Sequence, residues 1–225
     1  MVAPVSIIIT LLGVAFALGF FNKKQGMLTG LLAISAMAFV SFVSLEWLYG
    51  LFFEERSAAY IFTAGTMPPF SISLKMGFYE ALFTGMINLI GLLGGMYMFD
   101  KLKHIGKNGF ITLLMFIMGL NVIIMTRDLF NLFVFLEISS IATAGMVIFT
   151  QNKKTLTAGF KYMLATGVIA GILLLGVIFI YYFTGSLNID HILDTVSIDA
   201  VKGLSVAVFF LMIAMLLELK PFSAN

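Results

Sequence analysis

The chain has no cysteine, and only 11% of its 225 residues are charged. Without a thiol there is no disulfide, no thiolate nucleophile and no cysteine-ligated metal or iron–sulfur site. So few charges cannot clothe a soluble globule: 61% of the residues are hydrophobic, including 24 phenylalanines and 15 methionines, so the surrounding medium is mostly lipid. The lysines are scattered in pairs rather than gathered into a stripe, which leaves no signature of a nucleic-acid partner. No glycine cluster spells a phosphate-binding loop; Gly91, Gly94 and Gly95 read as helix-packing positions. The first apolar run lacks a basic segment ahead of it. Lys23 and Lys24 follow it instead, which suits a retained span rather than a cleaved leader. His104 and His191 fall in connections on opposite sides of the membrane, so neither a metal nor another cofactor is expected.

What is present is a series of apolar runs. Seven candidate spans lie at about residues 3–21, 27–50, 76–98, 109–126, 129–150, 156–184 and 203–221, each near the roughly 20 residues that cross hydrocarbon. The seventh is the weakest, because its clean apolar core runs only from Leu204 to Leu217, ahead of Glu218, Lys220 and Pro221. The expected fold is all-α and polytopic, a single transmembrane domain over residues 1–225. Its first part, residues 1–98, holds three helices and an external β-hairpin between the second and third, in the stretch from Phe52 to Lys75. That stretch contains Tyr60-Ile61-Phe62, a turn at Gly65, Pro68-Pro69 and Phe70-Ser71-Ile72-Ser73-Leu74. The hairpin reads as a lid or brace. The fourth and fifth spans, separated by Arg127 and Asp128, form a tight antiparallel pair.

Charge alternates between the connections. Lys23, Lys24, Lys101, Lys103, Lys107, Lys153 and Lys154 occupy the odd ones, against Arg56, Lys75, Arg127 and Lys202 in the even ones. The positive-inside rule then places the N-terminus outside a cell membrane and the lysine-rich loops in the cytoplasm.

Charges at depth carry the functional reading. Glu137 lies eight residues into the fifth span, about 12 Å down. Such a carboxylate costs roughly 2.5–3.5 kcal/mol on insertion scales unless it is paired or meets water. It is either a structural acid bonded to a neighbouring helix or part of a proton relay. Ser139, Ser140 and Thr143 follow on the same span and can hold water or a hydrogen-bond chain, while Ala142, Ala144 and Gly145 permit close packing. Lys161, five residues into the sixth span, is either a snorkelling lysine or a positive neighbour that tunes Glu137. Glu218 and Lys220 stand two apart, too poorly placed to pair on one helix, so each looks for another partner. Asp128 forms a polar turn with Arg127 or caps the fifth helix. Glu46 and Glu80 read as interface anchors.

The stretch Asp128-Leu129-Phe130-Asn131-Leu132-Phe133-Val134-Phe135-Leu136-Glu137 closely resembles the fifth-helix motif of the antiporter-like membrane subunits. These are the proton-translocating subunits of NADH:quinone oxidoreductase, the D-type subunits of multisubunit sodium/proton antiporters, and related subunits of archaeal membrane-bound hydrogenase and sulfur-reducing complexes. Pro68 to Leu74, Gly159-Phe160-Lys161-Tyr162 and Tyr182-Phe183-Thr184-Gly185-Ser186-Leu187 fit the same family.

The resemblance implies the N-terminal half of a fourteen-helix subunit, with residues 109–225 as part of one antiporter-like repeat. It implies a proton relay of Glu137, Lys161, Lys220 and Glu218, with Asp128, Ser140 and Thr143 as accessory groups. The implied partners are other antiporter-like and small membrane subunits, membrane lipids, protons, and sodium as an alternative ion. The expected role is transport rather than catalysis. Two departures stand out. The family lysine stands five residues before the helix-breaking proline, and that position is Leu216; the chain also stops at Asn225, either as a split subunit or as a piece of a longer one. The competing readings are a structural scaffold with a degenerate, non-conducting channel, and a membrane enzyme that binds quinone or lipid.

Overall fold

The computed structural model describes residues 2–22, 25–63, 71–149, 153–195 and 201–219. Lys23, Lys24, the Gly65 turn, Pro68, Pro69, Phe70, Asp199, Lys220 and Pro221 lie outside the described residues, as does the side chain of Lys202.

Helices form where the apolar runs were expected. They are α1 (Val5–Gly19), α2 (Gly26–Phe53), α3 (Phe78–Tyr97), α5 (Lys107–Met125), α6 (Leu129–Ile148), α7 (Lys153–Thr184) and α9 (Val201–Glu218). The expectation of seven spans is corrected to five, because among the described residues only α2, α3, α5, α6 and α7 are long and apolar enough to cross a membrane. The 15 residues of α1 rise about 22 Å, short of a hydrocarbon core about 30 Å thick. The apolar part of α9, Leu204–Glu218, falls short in the same way. Two further helices, α4 (Phe99–Ile105) and α8 (Ile189–Thr195), occupy connections that read as loops in the sequence.

Two strands, β1 (Ala59–Phe62) and β2 (Ser73–Met76), pair antiparallel with Ala59 opposite Met76 and Phe62 opposite Ser73. The second strand lies a few residues later than its apolar run suggested. The hairpin is a brace: Leu74 bridges to Thr126, the Arg127 amide donates to the Ser73 carbonyl, and the Asn188 side-chain amide donates to Ser73 Oγ at 2.6 Å. The extramembrane ends of α5, α6 and α7 are thereby tied to one small sheet.

The main core lies between α1, α2, α3 and α5, around Leu11, Met37, Val40, Phe110 and Met118. A smaller cluster of Ile180, Ile192 and Ala207 joins α7, α8 and α9. Glycine sets two of the close approaches. A Cβ at Gly119 would collide with Ser139 where α5 meets α6, and one at Gly159 would collide with Ile148 where α6 meets α7. Gly91 and Gly95 also face neighbouring side chains, Ile117 and Met37 respectively, whereas Gly94 faces open space. Large apolar residues such as Phe42, Phe83, Ile90 and Val168 stay exposed on the outer faces, as lipid contact requires.

Candidate functional site

The α5–α6 turn sets the position of the deep carboxylate. Asp128 has extended backbone geometry, and its side chain accepts the Asn131 amide at 2.8 Å, so it is the N-cap of α6. Burial pushes its carboxyl above the usual range, while the amides of Asn131 and Phe130 pull in the other direction. Arg127 does not pair with Asp128. Its guanidinium reaches Glu80 on α3, and both side chains are largely buried. The other Glu80 oxygen accepts the Gly77 amide at 3.0 Å, which closes the start of α3. The Arg127 carbonyl in turn accepts the Ile189 amide at the start of α8.

From that anchored turn α6 descends, and its ninth residue, Glu137, lines a cavity of about 380 Å³. Glu218 of α9 lines the same cavity, together with Ser140 and Thr166. The remaining wall is apolar, including Leu136, Ile169, Leu173 and Ala214. Both carboxylates are half-buried. Among the described residues no hydrogen bond or ion pair closes on either of them. A space this large can hold several waters, and the two acids and the Ser140 hydroxyl supply the polar partners that such waters need.

The other expected site residues fall elsewhere. Ser139 and Thr143 donate to carbonyls of their own helix, Phe135 and Ser139, at 2.8 and 2.9 Å. Lys161 is exposed and lines a separate concavity with Lys153, Lys154 and Thr157. Leu216, at the position where the resemblance implies a lysine, is exposed on α9.

Two polar features escaped sequence reading. One is the Glu80–Arg127 pair, whose members lie 47 residues apart. The other is a sealed amide cluster between α2, α3 and α5. Asn88 Nδ2 donates to Ser44 Oγ at 2.7 Å and to Asn121 Oδ1 at 3.1 Å, and Asn121 Nδ2 returns a bond to Asn88 Oδ1 at 2.8 Å. A signal existed: Glu80, Thr84 and Asn88 repeat at four-residue spacing and share one buried helix face.

Comparison with known proteins follows the same segments. Residues 126–222 match the family described as NADH:quinone oxidoreductase/Mrp antiporter, TM. NADH-quinone oxidoreductase subunit N of Desulforudis audaxviator is 32% identical over 134 residues, which is 56% of this chain and 26% of that protein. The D-type subunit of the Bacillus subtilis Na(+)/H(+) antiporter is 28% identical over 142 residues, 62% of this chain and 29% of that one. A chain of the membrane-bound sulfane sulfur reductase, an archaeal respiratory membrane complex, superposes with a TM-score of 0.81 at 23% identity, over 95% of this chain and 44% of its own. The chain thus spans under a third of those curated relatives and under half of that solved chain. The residues that match that family, 126–222, include the Asp128 cap, the Glu137 helix and the two helices that complete the cavity.

Proposed function

We propose that this chain is an ion-translocating subunit of a multisubunit respiratory or antiporter complex in the cell membrane, moving protons, with sodium as the alternative ion. The single observation that carries this reading is the placement of Glu137, which faces a shared cavity instead of being sealed by a partner. A carboxyl in such a space gains and loses a proton through water, whereas one bonded to a cationic neighbour in a dry core does not. Glu218 is the second acid on the path, close enough to share the same water-filled volume. Ser140 supplies a hydroxyl between them. The orientation of the chain in this reading has its N-terminus outside and Lys153 and Lys154 in the cytoplasm, as the positive-inside rule gives. The family resemblance makes the partners other membrane subunits. No redox centre is assigned to this chain.

The test is Glu137→Gln in the intact complex. Transport by the complex in sealed vesicles is expected to fall at least ten-fold with subunit assembly unchanged. Full transport by that variant would remove Glu137 from the path. The scaffold reading is favoured by one feature, the apolar Leu216 at the position where the resemblance implies a lysine. It predicts unchanged transport in Glu137→Gln and in Glu218→Gln alike.

A further inference from the structure

The open face at the start of α7 is a different kind of site. Lys153, Lys154, Thr157, Ala158 and Lys161 line one concavity of about 410 Å³. Lys153, Thr157 and Lys161 repeat every four residues and are all exposed or half-buried, so two ammonium groups flank a hydroxyl on one face of the helix. The same face continues, at spacings of three, four and seven, through Leu164, Val168 and Leu175, which are 58, 67 and 45% exposed. It therefore changes from cationic to apolar within one helical turn below Lys161. The apolar stretch from Lys161 to Leu175 is about 21 Å long at 1.5 Å per residue, enough to span one leaflet's hydrocarbon.

Among the described residues, neither Lys153 nor Lys161 takes part in an ion pair. No Asp or Glu occurs between Glu137 and Asp190. A carrier of a phosphate alone would have no use for the apolar continuation, and an acyl chain alone would have no use for the lysines.

We propose that this face binds an anionic membrane phospholipid, with its phosphate held by Lys153 and Lys161, assisted by Lys154, and an acyl chain lying along Leu164, Val168 and Leu175. Basic concavities at a membrane boundary select anionic headgroups on general electrostatic grounds. This site is independent of the Glu137 cavity, so its failure leaves the transport reading untouched.

The test counts lipid bound to the full chain, purified in mild detergent, by native mass spectrometry. Titration with phosphatidylglycerol is expected to fill one lysine-dependent site per chain at least ten-fold more tightly than phosphatidylcholine. Lys153→Gln with Lys161→Gln is expected to weaken that site roughly 30-fold, at about five-fold per lysine, while Lys153→Arg with Lys161→Arg keeps it. Thr157→Glu, which leaves both lysines in place, is expected to weaken it as well. Three results would overturn the proposal: equal retention of phosphatidylglycerol by the glutamine variants, equal binding of phosphatidylcholine, or occupation of the site by inorganic phosphate with no preference for lipid.

Discussion

Two groups of polar side chains are buried in the same helical bundle, and they are built in opposite ways. Between α2, α3 and α5, Asn88 and Asn121 exchange amide hydrogen bonds and Ser44 accepts another, so the donors are satisfied inside the protein. Nearer the α3 end of that face, Glu80 is closed by Arg127 and the Gly77 amide. Between α6, α7 and α9, by contrast, Glu137 and Glu218 look into a common cavity. An unpaired polar group in a low-dielectric medium costs several kcal/mol, on the order of the whole stability margin of many proteins. Paired groups therefore clamp helices together, while groups left facing a cavity are retained for what they can exchange. The Asn88 cluster belongs to the architecture, and in the proposed function the Glu137 cavity belongs to the chemistry.

Mutation can break that contrast from either side. The largest expected effect is on transport: Glu137→Gln should abolish most of it while leaving thermal unfolding in detergent little changed, and Glu218→Gln should follow in the same direction. The converse is expected of Glu80→Gln. Removing one member of a buried ion pair leaves the other uncompensated, for a loss of about 2–4 kcal/mol, toward the lower end because Arg127 keeps some exposure. Denaturation in mixed micelles would read that loss. A drop in transport without destabilisation in Glu80→Gln would erase the distinction between the two regions.

Smaller effects sharpen it. Asn121→Ala should cost about 1–3 kcal/mol, since it strands the Asn88 amide. Replacing Asn88 and Asn121 together by leucine should cost less than the sum of the single changes, because no orphaned donor remains. The smallest effect is expected at the α6 cap. Asp128→Ala should cost about 1 kcal/mol, whereas Asp128→Asn should be nearly neutral, because asparagine caps as well as aspartate. Burial already disfavours the charge at this site, so its removal loses little. These differences would appear as shifts in the same unfolding curves.

Sequence alone located the helices because a run of about 20 apolar residues has few alternatives. It did not locate their ends: α1 and α9 are shorter than their runs, and α4 and α8 are short helices in segments with no apolar periodicity to betray them. Glu137 was legible because a charge inside an apolar run stands out by itself. Glu80 was read as an anchor, since its partner is distant in the chain and Arg127 has a nearer acid in Asp128. Asn88 and Asn121 carry no charge and left no such mark. Lys161 was expected near Glu137 because their helices adjoin. The inward face of α7 instead carries Gly159, Thr166 and Leu173, and a residue two beyond Gly159 is turned about 200° from it.

The absence of cysteine from the sequence permits a direct test of hydration. Ser140→Cys and Ser44→Cys are nearly isosteric and place one thiol in the cavity and one in the sealed cluster. Each is exposed, in membranes, to a small water-soluble methanethiosulfonate, which reacts with a thiolate in contact with water. Cys at position 140 is expected to be modified at least ten-fold faster than Cys at position 44. Equal rates, or a position 140 that stays unreactive, would contradict a water-accessible path to Glu137.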